Sequence, residues 1–271
     1  MRTEALGNFL HYNIHVSMNN KPWIKAVFSP TGGCQAIADA IVTDVTRTRD
    51  VDLTFPCAAQ TVAEDMPLLA VVPVYGGRVP EPALERLSML MGQGGPAVAV
   101  VVYGNRAYED ALLELSDALS ANGFRVVAAA AFIAEHSVVR SIASGRPDAV
   151  DKQVAVDFGR AVLSKLAQSQ ENWTKPEVPG NPEYRERPKM PVTPVTSDDC
   201  GHCGSCASMC PVEAIPMDDP QSTDAGKCIL CMRCVEICPQ EARALPAPML
   251  EAMTARLKQV AATPKQPEIY L

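Results

Sequence analysis

No apolar run in this 271-residue chain reaches the roughly 18 uncharged residues that a membrane-spanning helix needs. The N-terminus also lacks the basic-then-apolar order of a secretory leader, so the expectation is a cytoplasmic protein with no membrane partner. A surplus of positive charge is missing as well: 24 Lys and Arg stand against 31 Asp and Glu, for a net charge of -7. Nothing in that balance offers an electrostatic footprint for nucleic acid. Residues 1–168 are poor in cysteine, holding only Cys34 and Cys57 of the ten in the chain. The strand-to-glycine turn near residue 30 carries neither the Gly-Lys-Ser/Thr ending of a nucleotide P-loop nor a G-x-G-x-x-G dinucleotide turn.

What is present is concentrated near the C-terminus. Cys200, Cys203, Cys206 and Cys210 precede Pro211, and Cys228, Cys231, Cys234 and Cys238 precede Pro239. This is the C-x-x-C-x-x-C-x-x-x-C-P spacing of bacterial iron–sulfur domains, in which the fourth cysteine of each run ligates the other cluster. The expected ligand sets are Cys200, Cys203, Cys206 and Cys238 for one 4Fe-4S centre, and Cys228, Cys231, Cys234 and Cys210 for the other. Structural zinc is usually held by two separated C-x-x-C pairs, and disulfide scaffolds belong to short secreted chains; neither fits this pattern. The runs begin 28 residues apart, at 200 and 228, which predicts a small pseudo-twofold domain. Eight acidic and three basic residues lie between Asp198 and Arg243. That acidic face would steer a basic redox partner protein, or is simply a solvated surface.

Upstream, apolar strands alternate with helical patterns. Strands are predicted over Ile24–Ser29, Val51–Phe55, Leu68–Tyr75, Ala97–Tyr103 and Phe124–Phe132. Helices are predicted after Gly33 and over Pro82–Met91, Glu109–Asn122 and Asp148–Leu166. Continuous apolar strands alternating with helices indicate a parallel sheet covered on both faces, and such sheets bind ligands beyond their carboxyl ends. Three loops belong there. Ser29, Thr31, Gly32, Gly33 and Cys34 stand at a strand-to-helix turn suited to a phosphate. Tyr75, Gly76 and Gly77, with Tyr103, Gly104, Asn105 and Tyr108, combine glycines that allow close approach with rings that can stack. A phosphorylated aromatic cofactor is implied, with FMN the natural candidate.

Cys34 at a helix N-terminus is expected to have a lowered pKa and a possible redox-sensing role, the alternative being a small buried hydrophobe, which is also the reading for Cys57. His136 is either a proton donor to the cofactor or a structural hydrogen-bonder. Arg78 and Arg106 either place positive charge at the ring or are surface residues.

Residues 24–168 resemble a flavodoxin, and the chain from about 23 to 245 resembles the flavodoxin/ferredoxin fusion family of bacteria and archaea. The resemblance rests on Ser29-Pro30-Thr31-Gly32, on Pro73 to Pro80, on Val102 to Asp110 and on Ala134-Glu135-His136-Ser137. It implies an α/β fold, a flavodoxin-like doubly wound five-stranded parallel sheet of order 2-1-3-4-5, plus a small α+β ferredoxin-like domain with two clusters. It also implies FMN held through its phosphate by the first loop, with the ring between the second and third. Cys34 departs from the hydroxyl residue usual in flavodoxins, and a thiol is a poor donor.

The expected division is an arm over 1–22, the FMN-binding domain over 23–168, a linker over 169–196, the cluster domain over 197–246, and a helix and tail over 247–271. The linker is Pro-rich and semi-rigid, with Trp173 and Tyr184 as candidate anchors to the flavodoxin surface. Met249, Leu250, Met253, Leu257 and Val260 form an apolar stripe for the last helix. The functional expectation is an electron carrier relaying single electrons between two 4Fe-4S clusters and FMN. A flavin-dependent reductase of a small substrate and a non-catalytic redox sensor or scaffold are the alternatives.

Overall fold

A computed structural model describes residues 21–188 and 192–271. The arm expected over 1–22 therefore lies, but for its last two residues, outside the described residues. Strands β1 (Trp23–Val27), β2 (Thr48–Asp52), β4 (Leu68–Pro73), β6 (Pro96–Tyr103) and β7 (Arg125–Ile133) form one sheet with β10 (Glu268–Tyr270), in the order β10-β7-β6-β4-β1-β2. The first five are mutually parallel, and ranked by chain position they run 2-1-3-4-5, the flavodoxin order.

Three expectations need correction. Among the described residues the sheet has six strands, because the C-terminal segment returns to pair antiparallel with β7, Ile269 opposite Ala130. Three residues carry too little periodicity to announce a strand; the free edge of β7 supplies the partner groups. The second strand begins earlier than expected, at Thr48, and only Val51 of its five residues is buried. It is an edge strand, so one row of neighbours and one apolar position suffice. Finally, the helix expected to reach Met91 stops at Leu87, and Leu90–Gly92 is strand β5, paired parallel with β3 (Gln60–Val62).

β4 and β6 are buried along their whole lengths, as central parallel strands must be. Helices α1 (Gly33–Ile41) and α4 (Ala149–Leu166) cover one face, where Ile37, Ile41, Phe158 and Val162 meet Val71 and Val100. α4 begins with a capping box in which Asp148 and Asp151 satisfy each other's backbone. At Gly159 a side chain would collide with the Ile41 carbonyl, so the two helices approach at backbone distance. Helices α2 (Glu81–Leu87) and α3 (Ala111–Ala121) cover the opposite face through Ala83, Leu87, Leu112, Leu115 and Leu119.

The linker is docked. Trp173 is buried to 2% exposure and its Nε1 donates to Lys165 O at 3.1 Å. Tyr184 OH donates to Asp117 at 2.8 Å beneath the Arg78 guanidinium, and Asp110 accepts from the amides of Asn181 and Arg185, both at 2.8 Å. A proline-rich strand cannot satisfy its own backbone; these side chains do it instead.

The cluster domain repeats itself with the 28-residue offset. Short helices α5 (Ser205–Ser208) and α6 (Arg233–Glu236) correspond, and the short strands β8 (Val195–Thr196) and β9 (Arg243–Ala244) pair antiparallel. Positive φ recurs at His202 and Leu230, at Gly204 and Met232, and at Glu213 and Glu241. Helix α7 (Ala247–Val260) then bridges the domains: Leu257 packs on Val139 and Ile142, while Met249 and Leu250 pack with Met232 and Leu245. Val260, expected in its stripe, is 52% exposed, because the helix ends there and turns outward. No helix among the described residues is long and apolar enough to cross a membrane.

Candidate redox site

The first loop is built for an anion. Ser29 N donates to Thr54 Oγ1 at 2.9 Å and Gln35 N to Ser29 Oγ at 3.0 Å, which curls the chain over the start of α1. Gly32, at φ +87°, makes the turn into the helix in the left-handed region that favours glycine. Among the described residues the amides of Thr31 and Gly32 have no backbone acceptor, and those of Gly33 and Cys34 belong to the first helical turn, which leaves its N–H groups open. Four donors at the positive end of a helix dipole suit a phosphate. Gly33 is also tightly placed, since a side chain there would come within 2.9 Å of Ala134 Cβ.

The second loop is a tight turn in which Tyr75 and Arg78 exchange backbone hydrogen bonds across Gly76 and Gly77, both at positive φ. Pro188 of the linker rests on Gly76 so closely that a side chain there would collide with it. In the third loop Gly104 lies against His136, whose Cδ2 would be 2.6 Å from an added Cβ. The first loop, Tyr75, Gly76, Tyr103, Gly104 and His136 all line one cavity of about 1200 Å³. The chain from Ala225 to Leu230, which leads into the second cysteine run, lines it as well.

Of the residues expected at the cofactor, Ser29, Thr31, Gly32, Gly33, Cys34, Tyr75, Gly76, Tyr103 and Gly104 line this cavity, and three do not. Gly77 is covered by Glu109 and Arg185. Asn105 donates to Ala261 O at 2.8 Å and accepts from Lys265 N at 2.8 Å, holding the C-terminal tail. Tyr108 stacks edge-on against Tyr103 and donates its hydroxyl to Glu268 at 2.7 Å, with the Tyr270 hydroxyl 2.8 Å away, so it anchors β10 rather than stacking on a ligand.

The charge expectations also change. Arg78 is bound to the buried carboxylate of Glu114 at 2.6 Å and does not line the cavity, whereas Arg106 does, paired with Glu109 at 2.7 Å. Cys34 is 4% exposed, and burial pushes its thiol up rather than down: desolvation outweighs the helix end, which removes the basis for a reactive sensor thiol. Cys57 is half-buried against the core. His136 Nδ1 accepts from the amides of Val138 and Val139, both at 3.2 Å, so Nε2 carries the ring proton; burial first, then the Arg106 charge, lowers its pKa below 6.5. The imidazole is thus a neutral hydrogen-bonder that shapes its own loop.

In the cluster domain Cys210, Cys228, Cys231 and Cys234 surround a second, small cavity with Pro194 and Thr223. Burial raises Cys231 to about 12 and Cys234 to about 11, and the neighbouring thiols of the same set add to both. Cys231 and Cys234 would stay protonated in this apolar cradle alone, and a bound metal centre is what would deprotonate them. Cys210 brings its sulfur from the first run, as the crossed ligation expects. The fourth cysteines are held alike: Ala214 N donates to Cys210 Sγ and Ala242 N to Cys238 Sγ, each at 3.3 Å. In the other set Cys206 is buried, Cys200 and Cys238 half-buried and Cys203 exposed.

The two cavities share Cys228, Ile229 and Leu230 as a common wall. Tyr75 reflects the same proximity: burial raises its phenol well above 10, and the thiols of Cys231 and Cys34 add to the effect. Arg233 fastens the domains together, donating from Nη1 to Pro30 O at 2.9 Å while its guanidinium lies 5.4 Å from the Phe55 ring centre. Arg86 reaches Pro211 O from the opposite direction. Sequence reasoning did not single out Arg233 for this role; a basic residue inside an acidic cluster domain was the only available signal.

The 4Fe-4S dicluster domain matches residues 199–242. Similar solved structures include a flavodoxin from the domain Archaea, at 14% identity and TM-score 0.37, covering 54% of this chain and 99% of that one. An oxidised flavodoxin 1 from Bacillus cereus gives 14% identity and TM-score 0.40 over 53% of this chain and 98% of that one. A rubredoxin oxygen:oxidoreductase from the anaerobe Desulfovibrio gigas gives 10% and 0.36 over 54% and 37% respectively. No curated protein matches the chain. The strand order itself makes the N-terminal domain flavodoxin-like, and the cysteine runs make the C-terminal domain ferredoxin-type. This is an iron–sulfur protein of the electron-transport class. Its organisation is an α/β domain of flavodoxin-like strand order joined to a 4Fe-4S dicluster domain.

Proposed function

We propose that the chain relays single electrons between two 4Fe-4S clusters, ligated as the crossed sets above, and an FMN held in the large cavity. The observation that carries this reading is the common wall: the cavity lined by the phosphate loop and Tyr75 is also lined by Cys228, Ile229 and Leu230, which line the cradle of the second ligand set too. When bound, the clusters supply one-electron carriers and the flavin a centre that takes one or two electrons. Thr31, Gly32, Gly33 and Cys34 offer their amides to the phosphate, with Lys152 in the same cavity. Tyr75 and Tyr103 border the ring space, and burial keeps the Tyr103 phenol protonated, with a pKa raised to about 12. Arg233 and α7 hold the domains so that the wall stays closed. Exchange with a basic redox protein takes place on the acidic side of the cluster domain, where Cys203 is exposed.

The test is anaerobic purification with iron, sulfide and flavin analysis, then a reductive titration followed by optical and EPR spectroscopy. About eight irons and one FMN, with electrons equilibrating among them, is the expected result. Eight irons with no flavin after FMN is added would end the relay.

A second reading, reduction of a small substrate, has one observation in its favour. The cavity exceeds the roughly 300–1,000 Å³ of ordinary ligand sites, and Lys152, Lys227 and Arg256 line it without a carboxylate partner among the described residues. An anionic substrate would suit it. Sustained turnover with a two-electron acceptor would favour this over a carrier.

A further inference from the structure

Arg243 heads the fully buried side chains by volume, at 2% exposure. Under the 28-residue repeat its counterpart is Ile215, and those two residues flank another corresponding pair, Cys206 and Cys234. Ile215 packs on both cysteines as an ordinary apolar residue. Arg243 reaches the same cysteine pair: Nη1 lies 3.6 Å from Cys206 Sγ, against whose hydrophobic cluster Cys234 packs. One half of a pseudo-symmetric core has thus replaced a hydrocarbon by a cation.

That cation has no ion pair among the described residues. Nη1 donates to Pro220 O at 2.6 Å, and Nη2 to Thr223 Oγ1. Both are neutral acceptors. Nε is buried with no partner among the described residues. Burying a guanidinium without a counter-charge is strongly unfavourable, and an unmet buried donor calls for an acceptor the polypeptide does not supply. Cys206 and Cys234 belong to different ligand sets, so thiolate-bound clusters would bring negative charge to both sides of it.

We propose that Arg243 is the internal counter-charge of both clusters and sets their reduction potentials; this rests on the two-cluster reading above. An electron added to either cluster places more negative charge beside a fixed cation in a poorly polarisable core. The reduced form gains more than the oxidised form, and the potential rises. Because the charge stands between the two sets, it acts on both centres rather than on one.

The experiment is an EPR-monitored redox titration of the full-length, anaerobically purified protein and of R243K, R243Q and R243I, the last copying the Ile215 half. R243K is expected to keep both potentials near wild type. R243Q and R243I are expected to shift the reduction equilibrium of both clusters at least tenfold towards the oxidised form, about 59 mV downward for a one-electron couple, without moving the flavin potential. If R243Q loses its clusters while R243K retains them, the charge is required to hold them, which supports Arg243 as their counter-charge. R243Q and R243K with equal potentials, or equal loss of iron from both, would overturn it. Iron and sulfide counts on the wild type test the underlying reading separately: about eight irons with unshifted variants removes only the role of Arg243, and fewer irons removes both.

Discussion

Arg233→Met is the substitution that most directly probes how the two domains are held. It keeps an unbranched stem for packing and removes the guanidinium that donates to Pro30 O at 2.9 Å and lies 5.4 Å from the Phe55 ring centre. A hydrogen bond from a charged donor contributes about 1.5–3 kcal/mol. The ring contact adds about 0.5–2 kcal/mol. Against these stands the Arg233 Nε, buried without an acceptor, whose removal returns about 1–3 kcal/mol. The net loss is therefore about 1–2 kcal/mol, a five- to thirtyfold weakening of docking. Global unfolding is not expected, because Arg86 still reaches Pro211 and α7 still packs on both domains. The effect should be local and visible in amide hydrogen exchange of the intact chain. Thr31 to Cys34 and Leu230 to Glu236 should exchange about five to thirty times faster than in the wild type, with the β4 and β6 amides unchanged. Wild-type exchange in both segments would refute the assignment of Arg233 as the fastener.

Three further outcomes follow from the same structure. Trp173→Ala should cost about 3–5 kcal/mol in urea unfolding and expose the linker between 174 and 188 to limited proteolysis, since the indole is 2% exposed and bonded to Lys165 O. Tyr108→Phe should free the C-terminal strand, raising exchange at Ile269 and costing about 1.5–3 kcal/mol for the lost bond to Glu268, while flavin binding stays unaltered because the ring does not line the cavity. His136 makes the protein acid-sensitive. Its folded-state pKa lies below the unfolded 6.5, so the unfolded chain takes up the proton first and stability falls as pH drops below about 6.5, until the folded pKa is reached. Thermal midpoints from pH 7.5 to 5.5 should therefore fall in the wild type and fall less in H136N; equal slopes would show that the imidazole is not the group responsible.

The features legible along the chain are those in which chemistry and spacing act over a few residues. Eight cysteines at ligand spacing, each run closed by proline, need no tertiary information to announce clusters, because the chain between them is too short to place the sulfurs far apart. The strand–Ser-Pro-Thr-Gly-Gly–helix turn is likewise local, since its donors are the backbone's own open amides. The apolar runs of β4 and β6 follow from burial on both faces of a parallel sheet.

Other roles belonged to the tertiary structure alone, because they depend on partners far away in the chain. Tyr103 and Tyr108 carry the same side chain five residues apart, and only one lines the cavity; Glu268, 160 residues further on, claims the other. Asn105 is taken by Ala261, 156 residues away, and Arg233 finds Pro30 across 203. Cys34 sits at a helix N-terminus that should acidify a thiol, yet the burial imposed by the surrounding core has the larger effect. Arg243 is one more basic residue to the eye that reads along the chain. Only the folding of one cysteine run against its repeat puts it, without a carboxylate among the described residues, against Cys206, on whose hydrophobic cluster Cys234 packs. Sequence alone determined which groups this protein carries; long-range packing decided which of them meet, since a contact between distant segments leaves no periodicity in either one.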